Sequence, residues 1–383
     1  MKMLRRLNSR LVFLLVLLFA GVAQQIAKEH QPSVLRPGLR MYAYVTNTGD
    51  GSASLTTGGS VTVVDLVRLS TIATIPVGPA PSGVRAHPTR DEIWGVSTEG
   101  GYVWVIDARS GQVRSRISVG AAPVAVDFSP NGARAYVAAS GRGTVSAIDC
   151  ATQKVIATAR TGRRPWLARV TPDGKYVLVP NRDDSTVSIL DAASLAIVAT
   201  VPVAAHPEGV EVLPDSKKAF VSASGTGQVS VFDLAPPALL TNLPLASAPT
   251  DLVLKPDGGE LYVPSPATHG LAILNTWMNE VTEHVLVGDA PSRGALTADA
   301  NFLYVTDAAA GRVLPIEIRF RHVLAPIAVG RRPGVARFSP GEDMLLVVNE
   351  DSNDLAVIRV RAQSLLTLIP VGHHPRDLAV KVF

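Results

Sequence analysis

The chain has 383 residues, 47% of them hydrophobic, which is enough apolar material for a large core. Its 36 Lys and Arg residues exceed its 32 Asp and Glu residues, but Lys2, Arg5, Arg6 and Arg10 all lie in the first ten positions. Without those four the charges balance at 32 against 32, so no nucleic acid binding is expected. The single cysteine, Cys150, excludes an intrachain disulfide and a cysteine-based metal or haem-attachment motif.

The N-terminal segment, 1–23, has the pattern of a secretory signal peptide. Four basic residues precede an apolar run, 11–23, that ends in the small residues Gly21 and Ala23. The run is short for a membrane span, so we expect cleavage near Ala23, with retention as an N-terminal anchor as the alternative. Residues 24–40 are predicted to be a linker. The mature protein would then be periplasmic or secreted, with no stable membrane span after cleavage.

Strand patterns begin at Met41 and continue to the C-terminus. Residues 41–47, 60–65 and 71–77 alternate apolar and polar side chains, which predicts three strands. The third runs into a Gly-x-x-Pro motif, Gly78 to Pro81, that recurs seven more times at one constant interval, twice with Ala in place of Gly. Equal intervals without insertions indicate one repeat domain over residues 41–383. The equivalent prolines are Pro123, Pro165, Pro207, Pro249, Pro291, Pro333 and Pro375.

Each complete interval contains four short strand patterns, here called a to d in chain order. Turns of the type Pro130-Asn131-Gly132 separate strands a and b and are typical of tight hairpins. Four antiparallel strands per unit at this period predict a β-propeller blade. Seven complete units, with an eighth blade built from both chain ends, give an all-β, eight-bladed propeller. A seven-bladed ring remains the alternative if that shared blade does not form.

The repeated segments carry a family resemblance. Tyr44-Val45-Thr46-Asn47, Thr62-Val63-Val64-Asp65 and the segment 73–78 resemble the YVTN family of β-propeller repeat proteins over nearly all of residues 41–383. The resemblance implies an exported protein, similar to the propellers of quinoprotein amine dehydrogenases and cytochrome-type nitrite reductases. Its motifs build blades, so it implies no catalytic residue.

Exceptions to the repeat concentrate between the Gly and Pro of the motif, on the loops that lead from strand d into strand a. Arginine pairs and histidine-bearing pairs both recur there after four repeats. In an eight-bladed ring this spacing places the two arginine pairs on opposite sides, and likewise the two histidine-bearing pairs. We define the following residues as the mouth, and expect them to bind a small anionic ligand or a partner protein: Arg163, Arg164, Trp166, Asp183, His206, Arg331, Arg332, Asp351, His373 and His374. The alternative is that these charges only pair within a blade, in solvent.

A second set of charges lies on the innermost strands, one per blade. Four are positive and four negative, and neighbouring blades often carry opposite signs. We expect them to form structural ion pairs along the central channel rather than a ligand site. The eight residues are Arg85, Asp127, Arg169, Glu211, Asp251, Arg293, Arg337 and Asp377.

The sequence favours a binding or scaffold module and leaves catalysis uncertain. It contains no nucleophile elbow, zinc-protease or nucleotide-binding motif in a suitable context, and the mouth histidines match no metal-ligand spacing, so neither a metal nor another cofactor is expected. The protein is expected to be a monomer. The alternative is an extracytoplasmic enzyme or enzyme subunit, either a lactonase-like hydrolase or a component of a quinoprotein-associated dehydrogenase.

Overall fold

The computed structural model describes residues 40–49 and 58–383. The predicted signal peptide and nearly all of the predicted linker therefore lie outside the described residues. No described helix is long and apolar enough to cross a membrane.

The described chain forms eight β-sheets, each of them one antiparallel blade. Blade 8 begins with β1 (Met41–Gly49), β2 (Gly58–Asp65) and β3 (Ser70–Pro76). Blade 1 contains β4 (Pro81–Ala86), β5 (Glu92–Ser97), β6 (Tyr102–Asp107) and β7 (Val113–Ser118). Blade 2 contains β8 (Pro123–Phe128), β9 (Arg134–Ala139), β10 (Thr144–Asp149) and β11 (Lys154–Arg160). Blade 3 contains β12 (Arg169–Val170), β13 (Tyr176–Asn181), β14 (Thr186–Asp191) and β15 (Ile197–Pro202).

The remaining blades repeat this order. Blade 4 contains β16 (Pro207–Val212), β17 (Lys218–Ala223), β18 (Gln228–Leu234) and β19 (Pro237–Pro244). Blade 5 contains β20 (Val253–Leu254), β21 (Glu260–Ser265), a 3-10 turn (Pro266–Thr268), β22 (Gly270–Asn275) and β23 (Glu280–Leu286). Blade 6 contains β24 (Pro291–Leu296), β25 (Phe302–Asp307), β26 (Arg312–Glu317), and an outer strand split into β27 (His322–Val323) and β28 (Ile327–Ala328). Blade 7 contains β29 (Pro333–Phe338), β30 (Met344–Asn349), β31 (Asp354–Arg359) and β32 (Ser364–Pro370), and β33 (Pro375–Val382) follows.

Strand β33 returns to the start of the chain and completes blade 8. It pairs antiparallel with β1 from Met41 opposite Val382 to Asn47 opposite Pro375, with a register shift between Thr46 and Asn47. The resulting sheet order is β3-β2-β1-β33. The prediction of an eight-bladed, four-stranded propeller is therefore confirmed, and the seven-bladed alternative is wrong.

The apolar core lies between blades rather than inside any one of them. Each cluster of buried side chains draws on two neighbouring sheets; Tyr44 and Val61 of blade 8, for example, pack with Ile93 and Trp104 of blade 1. All four side chains are at most 1% exposed. Because a single blade has no core of its own, each depends on the neighbours that cover its two faces.

Side-chain caps and a left-handed glycine set two kinds of turn in the chain. The acid that ends strand c caps the turn that follows, as when Asp65 Oδ1 accepts the backbone N–H groups of Val67 and Arg68 at 2.9 Å each. Gly78 has a φ of +104°, and a Cβ there would overlap the Tyr102 hydroxyl. The Asp65 cap thus fixes a turn within blade 8, and Gly78 sets the crossing from blade 8 to blade 1.

Ring closure should therefore depend on the apolar contacts of β33. Leu378 is fully buried opposite Val45, and Leu378→Ala should lower the free energy of unfolding by about 2–4 kcal/mol, because it leaves a cavity at the closing seam. Leu366→Ala, on the exposed outer strand β32, is the control and should change it by no more than about 0.5 kcal/mol. Urea unfolding measures both variants, and equal effects would contradict a special role for the seam.

Candidate functional site

The arginine pair of blade 3 is held by the loop that joins strands b and c of the same blade. The Arg163 side chain bonds to the Asp184 carboxylate through Nε, and its backbone N–H donates to the same carboxylate at 2.6 Å. Arg163 Nη2 also donates to the Asp183 carbonyl at 3.0 Å. Hydrogen bonding raises the pKa of Arg163 and lowers the pKa of Asp184, so both stay charged. The Arg164 guanidinium has a single, long contact of 3.9 Å with the Asp183 carboxylate, and the side chain is exposed.

Blade 7 repeats this arrangement with weaker partners. The Arg331 backbone N–H donates to Ser352 Oγ at 2.9 Å, where blade 3 has a carboxylate, and its Nη2 donates to the Asp351 carbonyl at 3.0 Å. Arg332 lies 3.4 Å from the Glu350 carboxylate and 3.9 Å from that of Asp351. Arg163 and Arg331 are thus placed alike, but Arg163 is bound more tightly to the loop between strands b and c of its blade, because its partner there is a carboxylate.

An ion pair with reversed charges joins each of these blades to the next one. Arg182 Nε donates to Glu208 Oε1 at 2.8 Å between blades 3 and 4, and Glu350 Oε2 accepts from Arg376 Nη1 at 3.2 Å between blades 7 and 8. The two pairs occupy equivalent repeat positions with the signs exchanged. The Arg182 guanidinium also lies 5.9 Å from the centre of the Trp166 ring, so this partly buried tryptophan already has a cationic neighbour. Sequence reasoning missed these bridges because each joins the loop between strands b and c of one blade to strand a of the next.

The mouth histidines are exposed and lie on two opposite sides of the ring. His206 packs against Gly225 of its own blade, where a Cβ would come within 2.9 Å of the imidazole Nδ1. His373 Nδ1 lies 3.4 Å from Asn353 Nδ2, and the His374 backbone N–H donates to Asn353 Oδ1 at 2.9 Å. Because His206 and His374 are four blades apart, the structure does not bring them together. The described residues contain no group of three or more His, Cys, Asp or Glu side chains that could hold a metal ion.

The second residue of the variable pair has a left-handed backbone in six blades. Arg164 has a φ of +51° and His206 a φ of +55°, but Ala80 and Ala122 share this conformation, at +44° and +54°. The conformation therefore belongs to the crossing between blades and is not a mark of function. It does point the same loop position outward in blades with and without a charge.

The central channel carries two separate ion pairs. Arg169 Nη2 lies 2.6 Å from Glu211 Oε1 across blades 3 and 4, and Arg293 Nη1 lies 3.5 Å from Asp251 Oδ1 across blades 6 and 5. Burial raises the pKa of Asp251, against the opposing effect of Arg293. The acids Glu211 and Asp251 stand on neighbouring blades, so the charges do not alternate around the whole ring.

The other channel charges centre on one carboxylate. Asp377 accepts from Arg85 at 3.2 Å and from Arg337 at 3.1 Å, and also from the Val84 backbone N–H at 3.1 Å. Burial by itself would raise the pKa of Asp377, but Arg337 and Arg85 outweigh it and lower that pKa. Repulsion by Arg337 and burial lower the pKa of Arg85 to about 10. Asp127 accepts the Val170 backbone N–H at 3.0 Å instead of an arginine.

Comparisons with known proteins support the propeller. Residues 96–235, fewer than half of the chain, match the Cytochrome D1 heme domain family. No curated protein shows significant sequence similarity to this chain. The YVTN resemblance stays a prediction.

Three solved structures illustrate the similarity in fold. Dihydro-heme d1 dehydrogenase NirN in complex with DHE has a TM-score of 0.74 at 15% identity, over 88% of this chain and 74% of its own. Apo AztD from Citrobacter koseri has a TM-score of 0.65 at 13% identity, over 90% and 98%. Kuenenia stuttgartiensis hydrazine synthase has a TM-score of 0.60 at 21% identity, over 73% and 95%. At these identities the likeness concerns the fold alone.

The segment that matches a haem domain does not assemble a haem site from the described residues. Haem iron needs an axial ligand such as His, Cys, Met or Tyr. Residues 96–235 contain no methionine, and their one histidine, His206, lies exposed on a loop. The hydroxyls of Tyr102 and Tyr136 donate to backbone carbonyls, and Tyr176 packs against the core between blades 3 and 4. Cys150 is buried, and burial raises its pKa to about 12, so it holds no thiolate. Arg163, which could bind a haem carboxylate, is bonded to Asp184.

The charge cluster around Asp377 should stabilise the ring. Asp377→Asn leaves Arg85 and Arg337 facing each other, and should lower the free energy of unfolding at neutral pH by about 1–3 kcal/mol, less than for a fully buried pair because the channel admits water. Asp251→Asn, which leaves only Arg293 without its acid, is the control and should cost less. Denaturant unfolding compares the two, and a larger loss for Asp251→Asn would contradict this account.

The same two variants should respond oppositely to acid. The lowered pKa of Asp377 contributes stability that is complete above the unfolded-state pKa of about 4 and is lost as the pH falls towards the folded-state value. The raised pKa of Asp251 means that the folded protein binds this proton first, so its contribution improves as the pH falls towards about 4. Unfolding free energies measured against pH, as differences from the unsubstituted protein, should diverge with opposite slopes. Parallel curves would contradict the assignment.

Proposed function

We propose that this protein is an extracytoplasmic binding module whose mouth takes an anionic ligand or an acidic surface of a partner protein. The observation that carries the proposal is the placement of Arg164 and Arg332 on equivalent loops of blades 3 and 7. Both are exposed, and both keep donors beyond their long contacts of 3.4–3.9 Å with nearby acids. Exposed guanidinium groups bind carboxylates and phosphates through paired N–H donors.

The distribution of shifted pKa values favours binding over catalysis. Among the described mouth residues and their partners, the resolved shifts are those of Arg163 and Asp184, and both keep the group charged. A catalytic acid or base needs a pKa moved towards the working pH. The two acids shifted in that direction, Asp251 and Glu211, lie in the channel against Arg293 and Arg169.

An extracytoplasmic location is supported by the basic and apolar pattern of the N-terminal segment, 1–23. The match of residues 96–235 to the Cytochrome D1 heme domain agrees with a role outside the cytoplasm. A closed ring of blades suits such a compartment, because its separate sheets leave only short edges and the one cysteine is buried.

A second candidate is a subunit of a redox enzyme, favoured by that same family match. In this role the chain would hold or orient a partner that carries the cofactor. An optical spectrum of protein purified from its native host separates the candidates. A haem-type absorption band that co-purifies with the chain and is lost when high salt separates the chain from its partner would favour the redox subunit. A chain that purifies without a chromophore and binds acidic probes would favour the binding module.

The mouth proposal predicts a loss of affinity in Arg164→Ala/Arg332→Ala. Binding of a poly-glutamate peptide, measured by titration calorimetry at low salt, should weaken about tenfold or more, because two exposed charges are removed from one face. The control Arg68→Ala/Arg319→Ala removes the same charge from turns between strands c and d, at the other ends of those strands, and should leave affinity within about twofold. Equal losses in both variants would show that net charge alone attracts the peptide, and would contradict a specific mouth.

A further inference from the structure

The two halves of the mouth differ in a way that the arginine pairs do not reveal. A groove of about 560 Å³ lies between blades 2 and 3, and it is lined by Arg163 and Arg164 together with Arg142 and Arg160 of the preceding blade. Four repeats further on, the positions of Arg142 and Arg160 are occupied by Ala310 and Ala328. The basic groove is therefore built on one side of the ring only.

The strand register explains how these residues meet. Arg160 ends β11 opposite Thr144, the first residue of β10, and Arg142 lies in the loop that leads into β10. The chain then passes through Gly162 into the loop that carries Arg163 and Arg164. Residues well separated in the sequence thus reach one groove, because a hairpin and a blade crossing end at the same edge.

The groove has more positive charge than its acids neutralise. Four arginines line it against two acids, Asp183 and Asp184. Asp184 is taken up by Arg163. The guanidinium groups of Arg142 and Arg160 are exposed, and no acid of the described residues lies within 4 Å of either. Two positive charges in the groove therefore remain uncompensated.

A hydroxyl in the same groove lacks a partner. Thr161 Oγ1 is shielded from solvent, and among the described residues it has no hydrogen-bond partner. Ser140, which also lines the groove, donates its hydroxyl to the Ala122 carbonyl at 2.9 Å. A threonine hydroxyl beside uncompensated arginines can donate to an oxyanion that they hold.

From this geometry we infer that the groove between blades 2 and 3 is a binding site for a compact dianionic oxyanion, a phosphate monoester or a dicarboxylate, held by Arg142 and Arg160. Two negative charges match the two uncompensated positive ones. Arg163 and its Asp184 partner fix the wall of the site, and Arg164 lies at its edge. The inference rests on the proposed function, since it assigns a ligand class and a position to one half of the mouth.

The test uses the full chain and two probes, inorganic phosphate and malonate, at about pH 8, where phosphate is a dianion. Calorimetry at low salt should detect binding of at least one probe, and Arg142→Ala/Arg160→Ala should weaken it about tenfold or more. Arg142→Lys/Arg160→Lys should keep part of the affinity, because lysine supplies charge without the planar fork. Thermal unfolding of each variant should match that of the unsubstituted protein, since both side chains are exposed. Whichever probe binds distinguishes a phosphate from a dicarboxylate source.

The matched control is Arg68→Ala/Arg319→Ala, which removes equal charge from turns between strands c and d, outside the mouth, and should leave binding of the probe within about twofold. Equal weakening in that control, or unchanged binding in Arg142→Ala/Arg160→Ala, would overturn the inference. Failure to bind either probe while the poly-glutamate peptide still binds would also overturn it, with the proposed function left standing. If neither the two probes nor the peptide bind, both the inference and the proposed function are overturned.

Discussion

Contact between neighbouring blades is the interaction on which this structure depends. A four-stranded blade exposes two apolar faces, and each is covered only by the blade on that side, as Tyr44 and Trp104 show at the boundary of blades 8 and 1. An open ring would leave two faces in water, at a cost that rises with every buried side chain lost. The pairing of β33 with β1 therefore joins the chain ends and completes the last of these contacts.

That dependence explains why charges gather where they do. Strands b and c must stay apolar to pack, so Arg, Asp and His residues collect on the crossings, on the loops between strands b and c, and on the channel face of strand a. In the channel they pair across blades, as Arg169 does with Glu211. On the crossings they face water, where they are available to a ligand because the packing does not need them.

Blades 3 and 7 are related by an approximate twofold axis in the positions of their charged residues, but not in the signs of those charges. Arg182 and Glu208 exchange signs with Glu350 and Arg376, so the bridge between blades persists while the local field changes. Arg142 has no counterpart across the ring at all. Equivalent backbone sites with unequal charges allow the two halves of the mouth to differ in the ligands that they bind.

The sequence alone determined the blade number, the strand order and the shared closing blade, because a constant interval without insertions repeats one packing unit and the chain ends supply complementary strands. It also located the charged crossings, which break the repeat visibly. Tertiary structure decided the partners. Arg163 belongs to Asp184 rather than to open solvent, Asp377 collects two arginines, and Arg160 meets Arg142 in a groove. Such contacts depend on side-chain reach across strands and blades, and distances in space of a few ångströms are not encoded in the spacing of residues along the chain.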